Sequence, residues 1–258
     1  MTENYKIQSR RLKFEGFDGS SLAASLDYPH NIEPLAYVIL AHCFTCNKQT
    51  LTTARLSRGL VQAGFAVLRF DFTGLGESEG DFAETHFRSM VRDIECAAAF
   101  LSDHYQPVSI LMGHSMGGTA CLAASQNGSA ALMEVNRIVT LASPASPAHV
   151  LHHFGPVMDE LLQGRASEIM VAGNAYPVRP EFVQDVQSYD MKKQMQACEI
   201  PIMAVRAGSD LLIGPESAEQ ILKFTGAQRK LLQIDGADHL FSNRQHAAHL
   251  LSEVLGFL

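Results

Sequence analysis

Residues 113–118 read Gly113-His114-Ser115-Met116-Gly117-Gly118, and few backbone arrangements accept that string where it stands. It follows an apolar run, VSILM at 108–112, and leads into a helical segment, TACLAASQ at 119–126. A strand that turns into a helix within a few residues forces the corner residue into a strained conformation. Side chains two positions before and after the corner would collide, and glycine stands at both, at 113 and 117. The strain projects the Ser115 hydroxyl outward and aims the next backbone N–H groups at whatever it attacks. A G-x-S-x-G string in this strand–turn–helix setting is a nucleophile elbow.

The rest of the chain supplies the sheet that such a corner needs. Residues 37–42, 66–71, 108–112, 137–142, 201–206 and 229–234 read as strands. Most are continuously apolar, as strands buried on both faces of a parallel sheet should be. Helical patterns lie between them, near 51–63, 85–102, 116–126, 215–224 and 244–257. The alternation predicts a doubly wound, mostly parallel α/β sheet. Two alternating segments within 5–28 meet at Asp18-Gly19, which predicts an antiparallel opening hairpin. With 258 residues, nearly half of them apolar, the chain fits a single domain with a large core.

One connection exceeds what a crossover needs. About sixty residues separate the strand near Ala142 from the strand at Pro201, against about 10–12 for a crossover. After Pro147, the residues Leu151, Phe154, Met158 and Leu161 recur at helical spacing. Gly173-Asn174 sits between two short extended runs, and Pro180-Glu181 starts a further helix carrying Phe182, Val183 and Val186. The expectation is a helix–hairpin–helix cap insert, about 146–196, over the C-terminal edge of the sheet, where open α/β sheets bind ligands. Its apolar stripe is expected either to anchor the helix or to roof the cleft above Ser115 and favour short to medium acyl chains.

A serine hydroxyl needs a base. In a sheet of this kind the base follows the nucleophile and the acid along the chain. His239 lies in Asp235-Gly236-Ala237-Asp238-His239, just past the strand RKLLQI, while His246 and His249 belong to the terminal helix. His239 is therefore the expected base. Asp210 stands at the C-terminal end of the strand IPIMAVRAG and is the expected orienting acid. Asp238 adjoins His239 too closely to orient its ring, Asp235 is a further competitor, and Asp185 and Asp190 fall in the cap. Acyl transfer also needs oxyanion donors. The expected donors are the backbone N–H groups of Met116 and of Phe44, in the loop after the strand VILA, with Thr45 a weaker choice than Phe44.

Four strings together carry a family resemblance: HCFTC at 42–46, RFDFTGLGESEGDF at 69–82, GHSMGG at 113–118 and DGADHL at 235–240. The chain resembles the α/β-hydrolase superfamily over nearly its whole length. More narrowly, it is similar to hydrolase domains fused to an OsmC-like domain, and HCFTC is the most specific of the strings for that subgroup. The resemblance implies the α/β-hydrolase fold, esterase-type chemistry through Ser115, Asp210 and His239, and no cofactor. Two departures stand out. Many relatives in the wider superfamily have His-Gly where this chain has His42-Cys43, and the sequence ends at Leu258 with no OsmC-like segment after it.

Other signals point elsewhere and are weaker. Cys43-x-x-Cys46 has the spacing of a redox pair or of half a zinc site, but no second ligand pair accompanies it. His149, His152 and His153 lack a nearby carboxylate pair, so no metal is expected there. Gly74-x-Gly76 lacks the third glycine of a dinucleotide loop, and Glu77, Glu79 and Asp81 would repel a pyrophosphate. Five irregularly spaced cysteines make a poor disulfide framework. A formal charge of −7 offers no footprint for nucleic acid. The N-terminus lacks a signal-peptide core and no run reaches membrane-spanning length, so the expected location is the cytoplasm. The sequence thus predicts a cofactor-free carboxylic ester hydrolase acting on a small-molecule ester. A thioesterase, amidase or perhydrolase would use the same residues. The alternatives of another class are a non-catalytic binding module and a Cys43/Cys46 redox protein.

Overall fold

The computed structural model describes residues 5–226 and 228–258. Among these residues eight strands form one sheet: β1 (Ile7–Glu15), β2 (Ser21–Pro29), β3 (Tyr37–Ala41), β4 (Ala66–Phe70), β5 (Val108–His114), β6 (Arg137–Leu141), and two later strands, Ile202–Ala207 and Arg229–Ile234. A separate hairpin, β7 (Ser167–Val171) and β8 (Asn174–Val178), precedes the last two, which are therefore β9 and β10. The sheet order is β1-β2-β4-β3-β5-β6-β9-β10. β1 pairs antiparallel with β2 and β2 with β4, and every later pairing in the sheet is parallel. This is the mostly parallel α/β sheet expected from the strand–helix alternation, in the α/β-hydrolase arrangement that the family resemblance implied.

Alternation along the central strands sends side chains to two cores. Ile39, Leu68, Leu111 and Ile138 face the layer that holds α2 (Phe87–His104) and α3 (Met116–Ser125). Val38, Leu40, Val67, Ile110 and Met112 face the other layer, built on the helix Leu51–Gln62, which is α1, and the C-terminal helix Arg244–Leu255. β3 and β4 are buried at every position, whereas the edge strand β1 is mostly exposed and the edge strand β10 alternates with solvent. A strand shielded on both faces gains from apolar residues at every position, which is why these runs read without alternation.

Between β6 and β9 the chain leaves the sheet. It forms a 3₁₀ run over Pro147–Val157, α4 (Met158–Leu162), the β7–β8 hairpin, α5 (Pro180–Ser188) and α6 (Met191–Met195). The single helix expected after Pro147 is instead a tight 3₁₀ spiral followed by one short α-helix. Pro156 lies inside the spiral and has no N–H to continue an α-helical ladder. The hairpin turn is one residue earlier than Gly173-Asn174: Val171 pairs with Asn174, leaving Ala172 and Gly173 at the turn. Both have positive φ, 49° and 82°, as a two-residue turn matched to strand twist requires.

The apolar stripe is divided. Phe154 and Leu161 are buried, and the Phe154 ring stacks on Phe182 with centroids 5.3 Å apart. Leu151 and Met158 are partly buried against the same core. The stripe therefore anchors this segment. No helix among the described residues is long and apolar enough to cross a membrane.

Candidate active site

Ser115 connects β5 to α3 with φ 53° and ψ −127°, a backbone conformation that costs of the order of 1–3 kcal/mol for a residue with a side chain. Its N–H donates to the Leu141 carbonyl at 2.8 Å, which ties the corner to β6. The two glycines are there for contact. A Cβ on Gly113 would lie 2.4 Å from the Gly117 backbone, and one on Gly117 would lie 2.2 Å from the His42 carbonyl oxygen. The second clash shows how closely the corner sits against the loop that follows β3. Met116 is the first residue of α3, where N–H groups lack an intrahelical partner and the helix dipole is positive.

His239 and Asp210 meet although 29 residues separate them. His239 Nδ1 lies 2.7 Å from Asp210 Oδ2. The other carboxylate oxygen accepts the N–H groups of Leu212 at 2.8 Å and Ile213 at 3.0 Å. The Asp210 side chain is only 2 % exposed. Burial pushes its pKa up, but the bond from His239 and those two N–H donors, with the His239 charge, outweigh it and leave the pKa below the ordinary carboxylate value. An ionised acceptor at Nδ1 holds the His239 proton there and leaves Nε2 to accept one. Asp238 is occupied elsewhere. It accepts the Ser242 N–H at 2.9 Å and the Ser242 hydroxyl, shaping the turn that follows His239.

Two further histidines support this arrangement, and the sequence assigned a role to neither. The His114 Nε2–H donates to the His239 carbonyl at 2.8 Å, and the two rings are 4.8 Å apart. His42 donates from Nδ1 to the Cys43 carbonyl at 2.7 Å and accepts the Phe72 N–H at Nε2, 3.3 Å away. Burial is the main cause that lowers both to about 4, so both rings stay neutral at ordinary pH and keep these tautomers. A single histidine at the end of β5 and another just past β3 carry no periodic signal that would have singled them out.

The loop 42–46 brings Phe44 to the site. Its ring is buried between Phe82, at 5.6 Å, and Phe182, at 5.3 Å. Cys43 and Cys46 are joined by a disulfide, and the Cys46 N–H donates to the Cys43 carbonyl at 3.2 Å. This corrects the reading of the cysteines as an unlikely source of disulfides. An odd count of irregularly spaced cysteines argues against a framework, but it says nothing about one pair brought together by a turn. Cys96, Cys121 and Cys198 are free.

Ser115, His239, Phe44, Cys43 and Cys46 line one cavity of about 620 Å³, within the range of small-molecule sites. Leu211, Leu212 and Leu240 supply apolar wall from the loops after β9 and β10, and His153, Val171 and Ala172 come from the segment between β6 and β9. None of Leu151, Phe154, Met158 or Leu161 lines it. Gly74 and Gly76 form a tight turn instead of a nucleotide loop. A Cβ on Gly76 would lie 2.4 Å from the Asp71 carboxylate, which accepts the Glu77 and Lys48 N–H groups. His149 and His152 are engaged, by the Leu212 carbonyl at 2.9 Å and the His149 carbonyl at 2.6 Å respectively. Among the described residues no group of three or more His, Cys, Asp or Glu is placed to hold a metal ion.

Residues 32–189 match the family described as serine aminopeptidase, S33. The esterase domain of a Rhodothermus marinus protein is 33% identical, over 96% of this chain and 96% of that one, with a TM-score of 0.76. Est1E from Butyrivibrio proteoclasticus, solved with ferulic acid bound, is similar at 20% identity and a TM-score of 0.78, over 95% of this chain and 97% of its own. The mouse α/β hydrolase domain-containing protein 10 is similar at 16% identity and a TM-score of 0.76, over 96% and 98%. No curated protein sequence matches.

Proposed function

The chain belongs to the α/β-hydrolase family described as serine aminopeptidase, S33, and we propose that within it the chain is a cofactor-free serine hydrolase of small carboxylic esters. One observation carries the reading. A serine held at φ 53° on a strand–helix corner shares an apolar cavity with a histidine whose far nitrogen is 2.7 Å from a shielded carboxylate. Ser115 Oγ attacks the acyl carbonyl as His239 Nε2 takes its proton. The N–H groups of Met116 and Phe44 receive the developing oxyanion. His239 returns the proton to the leaving alcohol, and a water activated by the same ring releases the acyl group.

Esters fit better than peptides with a free N-terminus. Recognising an α-ammonium group takes an uncommitted carboxylate, and the one carboxylate among the described lining residues, Asp238, is bound to Ser242. The Rhodothermus marinus relative is itself an esterase domain, which supports the same choice. The HCFTC string extends the likeness toward hydrolase domains fused to OsmC-like domains. The cap role of residues 146–196 and a cytoplasmic location belong to this reading too. Reaction with a fluorophosphonate tests it. The expected result is one adduct, on Ser115, with loss of hydrolysis across a panel of esters; an adduct elsewhere, or an inhibited enzyme with Ser115 unmodified, overturns it.

The pH profile tests the base. Asp210 stays ionised well into acid because its pKa is lowered, and His42 and His114 sit near about 4. Burial, with the charges of His152 and His149, lowers His153 as well. Asp210, His42 and His114 therefore do not account for an ionisation between about pH 5 and 8, where a histidine base titrates. kcat/KM is expected to fall on acidification, as the base takes up a proton. A flat profile from about pH 5 to 8 would count against a histidine base.

Acyl-chain preference for short to medium esters is assigned to the cavity wall and not to the buried stripe. Leu212→Ala keeps the backbone N–H that Asp210 accepts while removing wall contacts. It is expected to change the ratio of kcat/KM between short and longer esters by about 1–3 kcal/mol. Phe154→Ala is expected to cost about 3–5 kcal/mol of stability and to leave that ratio alone. Thermal melts and an ester series on both variants decide between the two sites.

A further inference from the structure

The loop that carries Phe44 is anchored at its two ends by independent means. At one end, His42 holds the Cys43 carbonyl from within the core. At the other, the Lys48 N–H donates to Asp71 at 2.6 Å, and its buried ammonium lies 2.5 Å from both Asp71 and Glu77. Arg69 donates to the Lys48 carbonyl at 2.6 Å. The tip, residues 43–46, is held differently. It has the Cys46–Cys43 backbone bond at 3.2 Å, the Tyr176 hydroxyl on the Thr45 carbonyl at 3.0 Å, the Phe44 ring packed against Phe82 and Phe182, and the disulfide. Of these, only the disulfide is covalent, and it brackets Phe44 directly.

That disulfide lies in the wall of the cavity beside Ser115, and Cys46 is only half-buried. A small thiol entering the cavity therefore reaches it. The remaining cysteines are poor participants in exchange: burial raises the Cys121 and Cys198 thiols and lifts Cys96 to about 11.

We infer that Cys43 and Cys46 form a reversible thiol–disulfide modification site, with a dithiol as co-reactant, whose state sets the precision of the oxyanion loop. The inference rests on the reading of Ser115 as the nucleophile. In the forward step one thiolate of the dithiol attacks Cys46 Sγ, and the Cys43–Cys46 bond breaks with Cys43 leaving as a thiolate. The second thiolate of the co-reactant then attacks the mixed disulfide, closing its own S–S bond and releasing Cys46. Two electrons pass to the protein and the co-reactant is oxidised. A compartment rich in thiols makes such a bond a state of the enzyme and not a fixed staple. With the bond open, the tip keeps its hydrogen bonds on the Cys43 and Thr45 carbonyls and the packing of the Phe44 ring, while the backbone between the two cysteines gains the freedom that moves the Phe44 N–H off the oxyanion.

The test uses the whole chain and dithiothreitol as the dithiol. Thiols are counted at Cys43 and Cys46 by alkylation and mass spectrometry, and hydrolysis of a short ester is followed in parallel. Reduction is expected to expose two thiols and to lower kcat at least about tenfold, toward the about 10²–10³-fold that loss of one oxyanion donor costs. KM should stay within about twofold, because the contact exists only in the transition state. Reoxidation should restore the rate, and the double variant C43A/C46A should have the reduced rate and no response to the dithiol. If that variant does not fold, the cycle of reduction and reoxidation on the natural sequence decides alone. Full reduction with kcat unchanged overturns the inference, as does a bond that excess dithiol leaves intact in the folded protein. Fluorophosphonate labelling separates the two levels. Absence of a Ser115 adduct in either state defeats the nucleophile assignment, whereas equal labelling rates in both states defeat the redox inference alone.

Discussion

Ser115→Ala is expected to lower kcat by on the order of a millionfold on any ester the enzyme cleaves, with the fold unchanged. The size follows from what is removed. Without the hydroxyl there is no acyl-enzyme, and His239 has no proton to accept, so the assembled histidine and carboxylate lose their purpose together. What remains is binding in the cavity and the N–H groups of Met116 and Phe44, the part of such a site that still outpaces water by about 10³–10⁴-fold. Alanine also tolerates the position no worse than serine does, since both carry a Cβ at φ 53°. The melting temperature is therefore a fair control. Steady-state hydrolysis by protein purified away from any natural-sequence contaminant is the measurement. Retention of even a few per cent of the rate would remove Ser115 from the mechanism.

The parts of this site that were readable in the sequence share one property: they are local. The Gly113–Gly117 string, the continuous apolar runs and the turn residues each state a backbone requirement within a few positions. Asp210 and His239 were reachable as well, because each stands just past the C-terminal end of a recognisable strand, and such ends converge on one edge of a parallel sheet. What escaped is set by tertiary distance. Nothing in Cys43-x-x-Cys46 distinguishes an idle pair from a bridged one until the turn brings their Cα atoms to 5.3 Å. The stripe Leu151, Phe154, Met158 and Leu161 has helical spacing, yet whether it roofs a cleft or fills a core depends on Phe182, which arrives from another helix. The residues that do face the cavity, Leu211 and Leu212, have no periodic partner, and Leu211 is 96 % exposed.

Asp210→Asn is expected to lower kcat by about 10⁴-fold, and the hydrogen bonds around Asp210 explain why the isosteric change is so costly. Oδ1 accepts two backbone N–H groups, from Leu212 and Ile213, while Oδ2 accepts from His239. Asparagine has one oxygen and one NH₂ to fill these places. Turning the NH₂ toward Leu212 and Ile213 would set donors against two donors in a shielded site, so the amide oxygen stays there and the NH₂ faces His239. His239 must then accept at Nδ1 and carry its proton on Nε2, the nitrogen that has to take the proton from Ser115. The ring remains in place in the wrong tautomer. Asp238→Asn makes the opposite control, because its carboxylate serves Ser242 and not the imidazole. It is expected to cost far less than Asp210→Asn, through loosening of the turn after His239. Comparing kcat for the two variants near neutral pH on one ester is enough. If Asp238→Asn proves the more damaging, the orienting acid is Asp238 and the 2.7 Å contact between His239 and Asp210 is not the one that catalysis uses.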